Sequence, residues 1–127
     1  MPQSTPNMAE QLAQAATAFQ QQLTGHEPKS VSVVLSKDTL VVTLHGALSL
    51  AEQAMAQSLK GVDNVREFHR QLFLNASDAF RQEIKRLTGM DVHEATAEVF
   101  CRSGAIVQVF LLSGQVPSES FNAGNTI

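Results

Sequence analysis

The stretch SLAEQAMAQSLKGVDNVREFHRQLFLNASDAFRQEIKRLTG, residues 49–89, decides the fold because it is the one long, strongly periodic segment of the chain. Ser49 and Glu52 have the spacing of a capping box, in which the Ser49 hydroxyl accepts the Glu52 backbone N–H and the Glu52 carboxylate accepts the Ser49 N–H. Gly89 stands where a helix ends on a residue with positive φ. The sequence therefore predicts a helix that begins at Ser49 and ends at Gly89.

Apolar side chains recur through this segment at spacings of three and four, which draws one stripe along a helix. The members of the stripe are Val65, Phe68, Leu72, Ala76, Ala79, Phe80, Ile84 and Leu87. A glycine inside a helix costs roughly 1 kcal/mol relative to alanine, so Gly61 predicts a kink or short break. The portion from Val62 to Thr88 would be about 40 Å long. Because that exceeds the width of a small domain, we expect part of the helix to pack on a second subunit.

The other elements extend an alternation of helices and hairpins. A shorter amphipathic helix is predicted from Met8 to Thr24, followed by a hairpin that turns at Lys37-Asp38. A second pair of strands is predicted over Val92 to Arg102 and Ala105 to Leu112. The fold class is α+β in the order α-β-β-α-β-β. We expect one four-stranded, mainly antiparallel sheet with two helices on one face, the second helix being long.

Valines also occur on the second face of the predicted sheet. Val34 and Val41 stand there among polar residues of the first hairpin. Either a partner or another element partly covers this face, or these are isolated exposed valines, which are common on protein surfaces. In the second pair of strands, Ala95, Ala97, Val99 and Cys101 fall on one face, as do Val107, Val109 and Leu111 on the neighbouring strand.

Length and composition indicate one independently folding unit. The 127 residues, of which 43% are hydrophobic, are enough to bury a core without disulfides or metals. We predict a flexible N-terminus over residues 1–7, a single α+β domain over 8–113 and a flexible C-terminal tail over 114–127. No apolar run approaches the ~20 residues of a membrane span, and the polar amino terminus does not resemble a secretory signal. We expect a cytoplasmic protein without direct membrane insertion.

Charge and aromatic content argue against nucleic acid as a partner. The formal net charge is −3 and the sequence pI is about 5.7. Neutralising phosphates requires a basic surface, and the chain has no Trp or Tyr on which bases could stack.

No motif for catalysis, metal binding or a cofactor is found. The chain has no Gly-rich phosphate loop, no paired cysteines and no histidine pair at metal-ligand spacing, so we expect no metal and no cofactor. Cys101 with His93 is the pair that a nucleophilic mechanism could use, although a buried cysteine is the simpler interpretation. We expect that the protein is not an enzyme and has no catalytic residues.

Arg66, His69 and Arg70 form the most suggestive polar group, because their spacing places them on one side of the long helix. Guanidinium groups at the rim of a low-dielectric crevice suit a small planar anion such as bicarbonate. The alternative is structural, since Asp63 precedes Arg66 by three positions and Glu67 precedes Arg70 by three, which gives both arginines local partners. His69 would then be a satisfied core histidine.

Glu83 lies by helical angle within the apolar stripe, where an unpaired carboxylate is costly. It requires a cation, a proton or water. It either reaches solvent near the helix end or serves a subunit interface.

Several short motifs occur in a defined order along the chain. They are Gly25-x-x-Pro28-Lys29-Ser30-Val31, Leu40-Val41-Val42-x-Leu44-x-Gly46-x-Leu48 with Glu52, Val65-Arg66, and Ile84-x-x-Leu87-Thr88-Gly89-x-x-Val92. Their order and spacing, over roughly Leu12 to Leu112, resemble the small bacterial MpsC-like proteins. These are described as a component of a sodium-translocating, membrane-potential-generating system.

The resemblance implies a small cytoplasmic protein without an established catalytic activity, whose genes accompany a membrane system for cation-coupled inorganic-carbon uptake. Of the matched positions, Arg66 is the polar residue suited to a ligand role. We therefore expect a homo-oligomeric accessory protein that binds or senses bicarbonate and regulates inorganic-carbon or ion transport, with a membrane transport complex as its partner. The first alternative is a protein-interaction adaptor without a small ligand. The second is a hydrolase or lyase that uses His69 or Cys101.

Overall fold

The helices and strands come in the predicted order, with the long second helix divided into three. The structure, a computed structural model, describes residues 7–117. Its elements are α1 (Met8–Thr24), β1 (Ser30–Ser36), β2 (Thr39–His45), α2 (Leu50–Met55), α3 (Leu59–Ala76), α4 (Asp78–Thr88), β3 (Val92–Phe100) and β4 (Ala105–Leu112). The α+β class is confirmed.

The four strands form one antiparallel sheet in the order β1-β2-β4-β3. Each hairpin contributes one central strand and one edge strand, and the hairpins join where β2 pairs with β4. The alternation along each strand turns one face toward the helices, as expected for a sheet with one buried side. The predicted sheet is thereby confirmed.

The core lies between the helices and this inner face of the sheet. Three aromatic contacts connect the layers: the ring centroids of Phe73 and Phe110 are 5.9 Å apart, those of Phe80 and Phe110 are 5.5 Å apart, and those of Phe19 and Phe80 are 5.9 Å apart. Phe110, on the central strand β4, is fully buried. Helices α1, α3 and α4 therefore converge on the middle of the sheet.

The ends of the 49–89 segment are as predicted, including the break before Gly61. Ser49 and Glu52 form the capping box of α2, and Gly89 ends α4 with φ 78°. The helix is interrupted at residues 56–58, and the Ser58 hydroxyl caps α3 by accepting the Gly61 N–H at 3.0 Å. A Cβ at position 61 would lie 1.6 Å from the Met55 carbonyl oxygen, so glycine is required there by close approach of the backbone.

A second interruption, at Ser77, corrects the prediction of one continuous helix from Val62 to Thr88. Ser77 ends α3 and also precedes α4, and its carbonyl accepts the Arg81 N–H at 2.9 Å. In a straight helix, Phe73 and Phe80 would be about 10 Å apart along the axis. Phe73 on α3 and Phe80 on α4 lie on either side of this interruption, and both rings pack on Phe110. The length argument for a second subunit no longer applies.

The predicted flexible ends fall mostly on residues 1–6 and 118–127, which lie outside the described part of the chain. Asn7, placed in the predicted N-terminal segment, is buried and forms a capping box with Glu10. Val116, placed in the predicted tail, packs in the core.

Candidate ligand site between the helices and the sheet

A cavity of about 40 Å³ lies between α1, the junction of α3 with α4, and the centre of the sheet. Its walls are mainly apolar and include Phe19, Phe73, Phe80 and Ile106. A space of this size holds a few waters or a ligand of a few non-hydrogen atoms. Leu23 also lines it and is exposed, which places the opening beside the last turns of α1.

Two glutamine side chains line this otherwise apolar cavity. Gln20, on α1, is only 6% exposed, and Gln108 occupies an inner-face position of β4 between Val42 and Ala97. Neither side-chain amide bonds another residue within 7–117. The amide atoms of both side chains keep contact with solvent, since Asn7 Nδ2 is the one buried side-chain N or O atom without a partner within residues 7–117. Water or a ligand in the cavity can therefore bond them.

His69 lines the same cavity and is held from behind by Glu52. The ring is 4% exposed, and its Nε2 lies 2.5 Å from Glu52 Oε2. The second carboxylate oxygen, Oε1, accepts the Ser49 backbone N–H at 2.9 Å and the Ser49 hydroxyl at 3.0 Å. Ser49, which caps α2, thus orients the Glu52 carboxylate, and this carboxylate orients the His69 imidazole. Because Nε2 is engaged, Nδ1 is the nitrogen with which His69 can address a ligand.

The environment of Glu52 favours its carboxylate form. Burial raises the pKa of the Glu52 carboxyl, but the hydrogen bond from the Ser49 backbone and the bond and charge of His69 outweigh burial. The net effect lowers the pKa below its ordinary value. Glu52 is therefore an anion at neutral pH and an acceptor for His69 Nε2–H.

Positive charge lies at the margin of the cavity. Ser77 lines it, and the Ser77 hydroxyl accepts a hydrogen bond from Arg81 Nε at 3.3 Å. None of the ion pairs formed among residues 7–117 includes Arg81. Its guanidinium charge therefore remains available to an anion near Ser77.

The three residues predicted as an anion site are not brought to one place. His69 faces the cavity, whereas Arg66 and Arg70 line a separate surface groove with Asp63 and Glu67. At about 100° per residue, His69 turns inward while the residues beside it stay at the surface. A ligand role for each residue stays a prediction, but the groove and the cavity are two sites.

The arginines of that groove have other contacts. Arg70 is exposed and pairs with Glu67 at 2.7 Å, and Arg66 Nε donates to the Val99 carbonyl at 3.3 Å. Glu98 adds another carboxylate to the groove, which therefore has more acidic than basic side chains.

The other singled-out residues are placed as follows. Glu83 finds its cation locally, in a bond from Arg86 that lowers the pKa of the Glu83 carboxyl. His93 lies near the start of β3 and Cys101 directly follows its end, and the eight steps along the chain separate them by about 26 Å. They do not form a nucleophile and base pair.

Sequence reasoning missed Gln20, Gln108 and the link from Glu52 to His69. A signal for the glutamines was present, since Gln20 continues the i, i+4 series of Leu12 and Ala16, and Gln108 interrupts the apolar run of β4. The pairing of Glu52 with His69 spans 17 positions and two helices, so no local pattern could reveal it.

Comparison with known proteins agrees with the motif order. Residues 4–114 match the family model described as "Na+-translocating membrane potential-generating system (MpsC)". The uncharacterized protein YbcI of Bacillus subtilis (strain 168) is 23% identical over 112 residues, which is 88% of this chain and 90% of YbcI. No solved structure matches the chain at a significant level. Because the family model covers residues 4–114, nearly the whole described part of the chain, this protein belongs to the MpsC family.

Proposed function

We propose that this protein is a non-catalytic accessory protein that binds a small planar anion, with bicarbonate as the candidate, in the cavity between the helices and the sheet. The observation that carries the proposal is the meeting of the unpaired Gln20 and Gln108 amides with His69 in one mostly apolar cavity. Few polar groups in an apolar enclosure are typical of a ligand site.

The available donors suit an oxyanion. The amide groups of Gln20 and Gln108 each offer N–H donors, and His69 keeps Nδ1 for a ligand while Nε2–H stays bonded to Glu52. Arg81, which bonds the Ser77 hydroxyl at the margin, offsets the negative charge of a ligand. Hydrogen bonds to a charged acceptor are stronger than those between neutral groups, which favours an anion over water.

Size and family context support the same class of ligand. A cavity of about 40 Å³ suits an anion such as bicarbonate and is too small for a nucleotide. The family description names a sodium-translocating, membrane-potential-generating system, and we propose that the anion regulates transport by such a system. Within residues 7–117, no helix combines the length and apolar character that a membrane crossing requires. We propose that transport itself belongs to a partner in a membrane complex.

The test is thermal unfolding of the full chain with bicarbonate, against chloride, nitrate and acetate at equal ionic strength and pH. A ligand at about 100 times its dissociation constant adds roughly 2.7 kcal/mol to the free energy of unfolding, which raises Tm by several degrees. Gln20→Leu and Gln108→Leu should abolish the bicarbonate-specific rise. Arg66→Gln and Arg70→Gln, in the surface groove, should preserve it.

Two results would contradict the proposal in different ways. If the arginine variants abolish the response and the glutamine variants keep it, the ligand binds in the surface groove. If bicarbonate has no specific effect up to tens of millimolar, the protein does not sense this anion. A function as an adaptor is then favoured by the apolar outer face of the sheet.

A further inference from the structure

The face of the sheet that points away from the helices is apolar across its centre. Val34, Val41, Val109 and Thr96 form one row, because Val34 pairs with Val41, Val41 with Val109, and Val109 with Thr96. Val34 is 59% exposed. The apolar core that the helices complete lies on the opposite face. We call this row and its neighbours the outer face.

Strand β4 has the composition of a strand covered on both sides. Its inner positions include Ile106 and Phe110, and its outer positions are Val107, Val109 and Leu111. A strand with one face in water alternates apolar and polar residues, whereas a strand covered on both faces is apolar nearly throughout. Within residues 7–117 helices cover only the inner face of β4, so its apolar outer face is free to pack on a partner.

Charge is distributed unevenly over the outer face. Glu94 and Glu98 project from β3 at one edge, in register with Leu111 and Val107 of β4. The opposite edge, β1, has no acidic side chain and ends at the Lys37-Asp38 turn, where the Asp38 carboxylate accepts the Thr39 hydroxyl. Neither Glu94 nor Lys37 belongs to an ion pair in the described part of the chain.

We infer that the outer face joins two copies of this chain face to face, about a twofold axis parallel to the strands. That axis reverses the strand order of the second copy, so that β3 lies over β1 and β2 over β4. It sets Val41 against the partner subunit's Val109 and brings Glu94 beside the turn with the partner subunit's Lys37. An axis across the strands would instead stack the acidic β3 edges on each other, and like charges across an interface are unfavourable.

The size of the face sets the strength of the dimer. Four strands spaced about 4.8 Å apart, with seven residues at about 3.4 Å each, give a footprint of roughly 450 Å². That is smaller than the roughly 800 Å² per partner of a standard stable interface. The dimer should therefore be weak, with a dissociation constant in the micromolar range, and should dissociate on dilution. The ligand cavity lies on the other side of the sheet, so this inference does not depend on bicarbonate binding.

The experiment is sedimentation equilibrium of the full chain across micromolar to high-micromolar concentrations. A monomer–dimer equilibrium is expected, and Val34→Lys and Val109→Glu should each raise its dissociation constant more than tenfold. Val34 is exposed on an edge strand, so its substitution leaves the fold intact even if the central Val109→Glu does not. Leu74→Glu, at an exposed apolar position of α3, is the matched control and should leave dimerisation unchanged.

Charge reversal tests the direction of the axis. Glu94→Lys and Lys37→Glu should each weaken the dimer severalfold, and the double variant should restore it to within about twofold. A chain that stays monomeric throughout, or a dimer lost with Leu74→Glu but not with Val34→Lys, would overturn the proposal. A double variant that remains as weak as the singles would overturn the orientation.

Discussion

His69 and Arg70 are neighbours on α3, yet their carboxylate contacts are of opposite kinds. His69 is 3% exposed in its side chain and bonds Glu52, which belongs to another helix. Arg70 is 55% exposed and pairs with Glu67 one turn away. The 100° step between adjacent helical positions puts one side chain in the core and the other in water. His69 therefore makes a contact between two helices in the low-dielectric interior, whereas the contact of Arg70 is local and is screened by solvent.

The largest expected effect comes from breaking the buried contact. His69→Ala should lower the free energy of unfolding by about 3 kcal/mol, because it leaves a hole and removes the partner of the Glu52 carboxylate. Urea unfolding followed by circular dichroism measures the loss. Arg70→Ala is the neighbouring control and should change stability by less than about 0.5 kcal/mol. Equal losses would mean that burial does not distinguish the two contacts.

The second largest effect is expected at acid pH, where the Glu52 and Glu67 carboxylates should contribute differently to stability. Because its folded-state pKa lies below the unfolded value, Glu52 adds stability that is complete above the unfolded pKa and is lost as pH falls through the folded pKa. Wild type should therefore lose more stability than Glu52→Gln between about pH 5 and about pH 3, measured as the pH slope of the unfolding free energy. The hydrogen bond from Arg70 also lowers the pKa of Glu67, but that exposed pair is screened. The slope of Glu67→Gln should stay close to that of wild type.

A third kind of polar group, half-buried and without a protein partner, extends the comparison. Gln108→Leu should raise the unfolding free energy by about 1 kcal/mol without ligand, since an apolar side chain removes an unpaired amide from the cavity. Chemical denaturation without added bicarbonate measures the gain. Gln82→Leu, at an exposed position of α4, is the control and should be neutral. A clear loss of stability in Gln108→Leu would mean that ordered water already satisfies the amide.

The smallest expected effect is that of salt on the stability contributed by the exposed ion pair. The exposed Arg70 and Glu67 pair should contribute little to stability, and raising the ionic strength should remove that contribution. A double-mutant cycle with Arg70→Ala and Glu67→Ala, repeated at low and high salt, measures it. The same cycle on His69 and Glu52 should give a larger coupling that salt hardly changes.

Local rules predicted much of the fold. The capping box at Ser49, the helix end at Gly89 and the period of two in the hairpins depend on residues a few positions apart, and the structure confirms all three. The prediction went wrong at Ser77, where the residues permit a helix to continue. The two helices that meet there both pack on Phe110, a contact with a residue distant in sequence that local spacing does not reveal.

Local sequence rules predicted less of the candidate site than of the fold. His69 was singled out, but by spacing it was grouped with Arg66 and Arg70, although burial separates them. Gln20 and Gln108 are 88 positions apart on different elements and meet only in the folded chain.

The sequence by itself determined the order of helices and strands, the caps and the family, because each depends on short-range periodicity or on motif order along the chain. Only the tertiary structure decided where the long helix bends, which side of each strand is covered and which polar groups share the cavity. Those outcomes depend on how layers pack and exclude water, and packing brings together residues that no local spacing relates. His69 illustrates both kinds of outcome: its position on a helix follows from the sequence, whereas its contact with Glu52 follows from the tertiary structure.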